Sequence, residues 1–313
     1  MEWLYRACVW LRRWCYRAGL LKVKRPRVPV VVVGNITVGG TGKSAVVVAL
    51  LEQLAAAGFR AGAVSRGYGA VNGLTEAVLV HHDMDPAQCG DEPLMIHRRT
   101  GAPVAVCVDR VRAVEALLEA QALDIVLSDD GLQHYALGRD LEVVLYDAVN
   151  AFGNGHCLLA GPLREPLSRL AEADFVLARG KDTGPQGVGY ALQDMVHLHT
   201  GERRPLDAAA LAPTPVAIAG VADPALFLQL LRDAGLDPET RLFPDHHRYE
   251  PADFAGLEER PILMTEKDAV KCGPWAPANS WYAPLEVTLP RELVDAVIAL
   301  ASSSGRDTTQ RRA

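Results

Sequence analysis

Gly34-Asn35-Ile36-Thr37-Val38-Gly39-Gly40-Thr41-Gly42-Lys43-Ser44 decides how the rest of the chain is read. The segment follows a short β-branched run, Pro29 to Val33, and leads into an apolar helical stretch from Ser44 to Ala57 that Gly58 closes. A glycine-rich loop ending in Gly-Lys-Ser between a strand and a helix is the setting in which a phosphate-loop pattern acquires a mechanism. Glycines let successive backbone N–H groups turn toward phosphate oxygens, and the helix N-terminus adds the positive end of its dipole. On this reading Gly39, Gly40, Thr41, Gly42, Lys43 and Ser44 cradle a nucleotide, Lys43 reaches the β- and γ-phosphates, and Ser44 offers a hydroxyl to Mg²⁺. One position departs from the strict spacing, since Thr37 stands where the first glycine belongs.

Outward from the loop, apolar runs alternate with helical patterns. Strands are expected near 61–65, 103–108, 124–128, 142–146 and 173–178, with a helix over 110–122. Such alternation predicts an α/β fold of the P-loop NTPase type, a mostly parallel sheet with helices on both faces and ligands at the carboxyl ends of its strands. Around 180–215 the chain turns loop-rich, with Gly184, Pro185, Gly187, Gly189, Pro205, Pro213 and Pro215. A second α/β pattern follows, with strands near 216–219, 261–264 and 285–289 and helices near 224–234 and 290–302. The expected organisation is a basic N-terminal helix over 1–28, a P-loop domain over 29–185, a linker over 186–214, a smaller α/β domain over 215–302 and a disordered polar tail over 303–313.

Three further clusters carry chemistry. Ile125 to Ser128 is an apolar run ending in Asp129 and Asp130, the arrangement by which a second carboxylate reaches the Mg²⁺ shell beside a P-loop. Neighbouring side chains on a strand point to opposite faces, so one of the two is expected to meet the metal. Gly90-Asp91-Glu92-Pro93 offers loop acids to an acceptor hydroxyl, and equally fits a helix start. Ser65-Arg66-Gly67-Tyr68-Gly69 places an arginine and a tyrosine between glycines, a pairing suited to an anionic or sugar-bearing ligand. His81-His82 and His197-x-His199 lack a third ligand, so zinc is not indicated.

The 313 residues carry a net charge of −6, with 49% hydrophobic and 22% charged side chains, which excludes disordered, collagen-like and disulfide-scaffold classes. The charge is partitioned. Residues 1–28 hold eight basic side chains against one acid, so that segment carries +7 and the remainder −13. Three of the five tryptophans fall in the first 14 residues. On a helix over 3–22, Trp3, Leu4, Ala7, Trp10, Leu11, Trp14, Ala18 and Leu21 share one side, while Arg6, Arg12, Arg13 and Arg17 point away. Such a helix suits the headgroup boundary of a membrane; the alternative is one that docks its Trp face on the body. The longest apolar stretches, such as Ala45 to Leu51, are far short of the roughly 18 residues that a membrane span needs. Six cysteines without a CxxC pair point to a reducing, cytosolic compartment. No basic patch is interleaved with aromatics, so nucleic acid is not an expected partner.

Taken in order, GNITVGGTGKS, SRGYG, GDEP followed by CVDRV, SDDGLQH, AGPLREPLSRL, FPDHHRY and LMTEKDAVK resemble one family closely, the tetraacyldisaccharide 4′-kinases of lipid A biosynthesis in Gram-negative bacteria. Members share the glycine-poor start of the loop, which removes the objection at Thr37, and Ser44 keeps the hydroxyl of their more frequent threonine. The resemblance implies ATP- and Mg²⁺-dependent phosphorylation of the 4′-hydroxyl of a tetraacylated glucosamine disaccharide 1-phosphate by a monomeric peripheral protein, at the cytoplasmic face of the inner membrane. Carried over by motif, it makes Asp91 the base, with His246 rather than His247 supporting it from the second domain and Lys43 on the phosphates. It places Ser44, Glu92, Asp129 and Asp130 at the metal, Thr37, Gln133 and His134 in the nucleotide site, and Ser65, Arg66, Tyr68 and Arg110 on the substrate.

Two other classes carry a P-loop of this kind. Membrane-associated partitioning ATPases have an extra lysine before the paired glycines, where this chain has Val38. P-loop synthetases of the dethiobiotin type act on soluble substrates and have no need of a basic Trp-rich helix.

Overall fold

The computed structural model describes all residues except 71, 72, 181–183, 209, 210, 212 and 311–313, and for 304–310 the backbone alone. Helix α1 (Glu2–Arg17) precedes a body that opens with β1 (Val30–Gly34), α2 (Lys43–Ala56), β2 (Ala61–Ser65) and β3 (Val78–Leu79). There follow α3 (Pro86–Cys89), α4 (Asp91–Thr100), β4 (Val104–Val106), α5 (Arg110–Ala120), β5 (Ile125–Asp129), β6 (Leu141–Asp147), β7 (Phe175–Arg179) and β8 (Gly187–Leu192). Strands β9 (Met195–His197), β10 (Arg203–Arg204), β11 (Val216–Ala219), β12 (Glu239–Leu242), β13 (Ile262–Thr265) and β14 (Ser280–Ala283) come next, with α6 (Pro224–Asp233) and α7 (Glu266–Ala269) among them; β15 (Leu285–Thr288) and α8 (Arg291–Gln310) end the order.

The large sheet runs β15-β8-β7-β6-β1-β5-β2-β4-β3, so β1 is its middle strand. Every pairing from β8 to β4 is parallel, and the two outermost strands, β15 and β3, pair antiparallel. Val30 to Val33 are fully buried, as a β-branched run covered on both faces should be. Alternation splits them: Val31 and Val33 pack with α2, α4 and α8, and Val30 and Val32 with α5. The smaller sheet runs β10-β9-β14-β13-β11-β12 with its own two packed faces.

Two expected boundaries move. The 186–214 segment is not a linker, because β8 extends the large sheet and β9 and β10 belong to the smaller one. The chain also returns at its end: β15 pairs antiparallel with β8, and α8 buries Leu293, Val297 and Ala301 in the core beside α2. The large unit is therefore built from both ends of the sequence. Helical backbone continues to Gln310 where a disordered tail was expected from 303, and 311–313 lie outside the described residues.

Helix α1 stops at Arg17 and buries none of its own residues. Its tryptophan side faces outward, with Trp3 77%, Trp10 65% and Trp14 46% exposed. The docked side is polar, which neither expectation foresaw. Tyr5 donates to the Arg164 carbonyl at 2.8 Å, the Cys157 N–H donates to Glu2 at 3.0 Å, and Arg13 reaches Glu172 at 2.6 Å. Arg13 thus turns inward, because the exposed Glu172 and the buried Glu165 on the body offer it partners that water would otherwise supply. No helix among the described residues is long and apolar enough to cross a membrane.

Candidate active site

A cleft of about 420 Å³ lies between the two sheets, at the carboxyl ends of the parallel strands. Gly39 to Ser44 line one wall and enter α2 through Gly42, whose φ of 78° is left-handed and whose side-chain position would collide with the Tyr190 hydroxyl. Only glycine fits there. The amides of the loop therefore sit at the N-terminus of a 14-residue helix with no acid in its first turn.

Strand β5 ends on Asp129, and Asp130 follows it in the left-handed conformation, so the two carboxylates part. Asp129 accepts from the Ser44 hydroxyl at 2.9 Å. Burial pushes its carboxyl up to about 7, Glu92 and Asp130 adding to the effect, and its other oxygen has no hydrogen-bond partner. A buried, orphaned carboxylate oxygen next to the P-loop serine fits a cation-binding role. Among the described residues no group of three or more His, Cys, Asp or Glu could hold a metal by itself. Kinase Mg²⁺ sites commonly take one or two carboxylates and complete their shell with phosphates and water. Asp130, at a φ of 47°, turns the other way and pairs with Lys43 at 3.6 Å and Arg164 at 3.1 Å. Burial raises its carboxyl, but these two cations more than offset that and hold it below the ordinary range.

Asp91 opens α4 and is 4% exposed. Both readings of the GDEP segment hold together, since Asp91 starts the helix while its carboxylate faces His246, whose Nδ1 is 3.0 and 3.1 Å from the two oxygens. Burial raises Asp91, yet the His246 hydrogen bond and Lys267 outweigh it, and the carboxyl lies below its ordinary value. His246 is raised chiefly by the same bond. His247 points elsewhere, bonding Asp253 at 2.9 Å and stacking on Phe243.

Sequence reasoning passed over Lys267. From α7 in the smaller unit its ammonium reaches Glu92 at 3.0 Å, Asp245 at 3.3 Å and Asp91 at 3.8 Å, bringing a positive charge to the line of acids opposite the P-loop. Arg164 and Arg179 also line the cleft unannounced; Arg164 belongs to AGPLREPLSRL and Lys267 to LMTEKDAVK, while Arg179, at the end of β7, belongs to no motif. For Arg164 and Lys267, a motif's basic residues were the available signal.

The remaining candidates divide. Ser65, Arg66 and Tyr68 line the cleft, the Arg66 guanidinium bonding the Tyr68 hydroxyl at 3.1 Å and lying over its ring. Thr37, Gln133 and His134 do not line it. Thr37 accepts from the Asn35 amide at 3.2 Å, Gln133 donates to Asn35 O and to Glu165, and His134 stands 3.3 Å from Asp109. Thr37 and Gln133 brace the loop from behind, and His134 meets the N-cap of α5. Arg110, 3% exposed, donates to Cys107 O and leaves Nε without a partner; burial brings its guanidinium down to about 10.

A family model described as LpxK, tetraacyldisaccharide-1-P 4′-kinase, matches residues 1–302. The chain belongs to this family. A tetraacyldisaccharide 4′-kinase of Nitrosococcus oceani is 43% identical over 304 residues, covering 97% of this chain and 89% of the relative. One from Azotobacter vinelandii is 49% identical over 286 residues, covering 90% and 85%. A crystal structure of LpxK from Aquifex aeolicus in complex with ATP superposes with a TM-score of 0.81 at 27% identity, over 97% of this chain and 96% of the other. Membership of the LpxK family makes the chain an ATP-binding kinase, a transferase of lipid A biosynthesis, and sets aside the partitioning-ATPase and synthetase readings.

Proposed function

We propose that the cleft transfers the γ-phosphoryl group of ATP to the 4′-hydroxyl of a tetraacylated glucosamine disaccharide 1-phosphate, giving the bisphosphate lipid IVA. The observation that carries this is the Asp91–His246 pair, bonded across the two units in the same cleft as the P-loop. Phosphoryl transfer asks for positioning and charge neutralisation more than for covalent chemistry. The loop amides and Lys43 hold the phosphates. Asp91, kept ionised, accepts the acceptor's proton as its oxygen bonds to the γ-phosphorus and ADP departs. His246 holds the Asp91 carboxylate in orientation. Ser65, Arg66 and Tyr68 face the acceptor from the cleft wall, and Arg110 contributes buried positive charge near Asp129 and Asp130.

Ser44 and Asp129 are the residues that would hold Mg²⁺, with Glu92 close by. When bound, the ion would supply positive charge against the phosphates during transfer. Asp130 is assigned to Lys43 and Arg164 rather than to the metal, because both cations already engage it.

The lipid substrate sets the location. Trp3, Leu4, Trp10, Leu11 and Trp14 form an exposed apolar face, which rests on the cytoplasmic surface of the inner membrane while the +7 segment answers anionic lipid. The protein works there as a monomer. The deciding experiment supplies radiolabelled ATP, Mg²⁺ and the disaccharide 1-phosphate in detergent micelles. A labelled bisphosphate is expected; ATP hydrolysis without a labelled lipid overturns the assignment.

A further inference from the structure

The inner side of α1 meets the body at one buried carboxylate. Glu165 is 1% exposed and accepts from the Gln133 amide at 3.0 Å and from the Tyr135 hydroxyl, with Arg169 at 3.5 Å and Arg13 of α1 at 3.9 Å. Two cations and two donors on one oxygen pair make it a junction, of the kind in which each member fixes the others. Its branches lead to the cleft. The Gln133 amide also donates to Asn35 O at 3.1 Å, and the Asn35 amide donates to Thr37 Oγ1 and Gly39 O inside the P-loop. The preceding residue, Arg164, donates its N–H to Ile36 O at 2.6 Å, lines the cleft and pairs with Asp130.

The same two residues hold α1. Tyr5 bonds the Arg164 carbonyl, Arg13 reaches Glu165 and Glu172, and Arg12 and Tyr16 lie against the Tyr135 ring. Because α1 buries none of its residues, polar and ring contacts of this kind are its attachment to the body. Its outward face is the tryptophan face. One helix thus presents an apolar surface on one side and, on the other, grips the residues that brace the P-loop and carry Arg164.

We infer that Glu165 is a positioning residue that couples the seating of α1 to the P-loop and to Arg164 in the phosphate cleft. The inference rests on reading that cleft as the kinase site and α1 as its lipid-facing helix. Seated, α1 supplies Tyr5 and Arg13 and the junction holds Arg164 against Asp130. With α1 displaced, Glu165 loses Arg13, the Arg164 carbonyl loses Tyr5, and the guanidinium has no fixed place. The helix is then tied to the phosphate cleft as well as being an attachment to the surface.

The test uses the full chain in mixed micelles, with Tyr5→Phe, Arg13→Met, the double variant, Glu165→Gln and Glu165→Asp. For R13M and E165Q, kcat/KM for the lipid acceptor should fall about tenfold or more and KM for ATP should rise with it, since one branch of the junction ends on Asn35 and Gly39 of the P-loop and the other on Arg164 and Asp130. E165D should recover part of the loss, and R13M combined with E165Q should cost less than the product of the two. Wild-type acceptor kinetics in both R13M and E165Q overturn the inference. So does a fall in kcat that tracks a smaller folded fraction with both KM values unchanged, which is what a merely structural role produces. If E165Q does not fold, Y5F with R13M decides the matter by the same criteria. Failure of the kinase reading would show separately, as a wild-type chain that labels no lipid.

Discussion

His246 Nδ1 stands 3.0 Å from the carboxylate of Asp91, from which it is separated by 155 positions in the chain and by the boundary between two sheets. The bond exists only while the smaller unit is seated against the larger one, so the proposed base, Asp91, is completed by domain placement.

Replacing Asp91 by Asn should lower kcat by about 10²- to 10⁴-fold, the range expected for a general base, with little change in KM for ATP. His246→Ala should cost less, roughly 10- to 100-fold, because it orients the base and does not take the proton itself. Steady-state kinetics on the two variants and their combination check this, and near-normal turnover in D91N would sink the assignment.

The pair also sets a pH window. Asp91 is held below its ordinary value, so its share of the bond is present above the carboxylate range and is lost as pH falls through the lowered value. His246 is held above its ordinary value; its contribution is complete below about 6.5 and is lost as pH rises through the raised value. NMR titration should show His246 titrating above the ordinary histidine value, and moving down in D91N. A wild-type His246 that titrates at or below the ordinary value contradicts the geometry.

Asp129, raised to about 7 by burial, should make Mg²⁺ activation steeply pH-dependent. Binding a divalent cation requires the ionised carboxylate, so the Mg²⁺ concentration for half-maximal activity should rise by about tenfold for each pH unit below the pKa. Chelation should abolish transfer, and Asp129→Asn should remove the pH dependence together with most of the rate. Equal Mg²⁺ demand at about pH 6 and about pH 8 would count against Asp129 as the ligand.

Arg179 links the units on the other side of the P-loop, pairing with Asp147 of its own sheet and with Asp223, the N-cap of α6, at 2.6 Å. Arg179→Met should destabilise the fold by about 1–3 kcal/mol, since two partly buried carboxylates lose their partner. Calorimetry should record a lower Tm, and KM for ATP should rise as the smaller unit seats less well. An unchanged Tm would show that the pair holds nothing together.

Changing Trp3, Trp10 and Trp14 together to Ser should abolish flotation with anionic vesicles while leaving transfer to substrate in detergent micelles largely intact. Wild-type flotation should also weaken with added salt, because part of the attraction comes from the basic residues. Flotation that survives the triple change would move the membrane contact elsewhere.

Strong periodic patterns were legible in the chain: β1, β2, β5 and β11 lie where their apolar runs placed them, and α2 and α5 begin within a residue of the expected positions. Strand β8 was not. Gly187–Leu192 is glycine-rich and weakly alternating, so nothing local marks it as β8; it becomes a strand by pairing with β7 and with the distant β15. That Thr37, Gln133 and His134 stand outside the cleft lining was not legible for a related reason, since a motif shows that residues belong together without showing which of them faces the cleft.

By itself the sequence determined the parallel α/β core, the phosphate loop and its serine, the acids of SDDG and GDEP, and the division of charge between a basic helix and an acidic body, because each of these is written in contiguous residues with a local physical signal. Only the tertiary structure decided that Asp129 turns to Ser44 while Asp130 turns to Lys43, that His246 and Lys267 arrive at Asp91, that β15 and α8 close the large unit, and that α1 docks by its arginine and tyrosine side. Those outcomes depend on buried charges finding partners across long stretches of chain, and desolvation acts on whatever the fold brings together, whatever its distance in sequence.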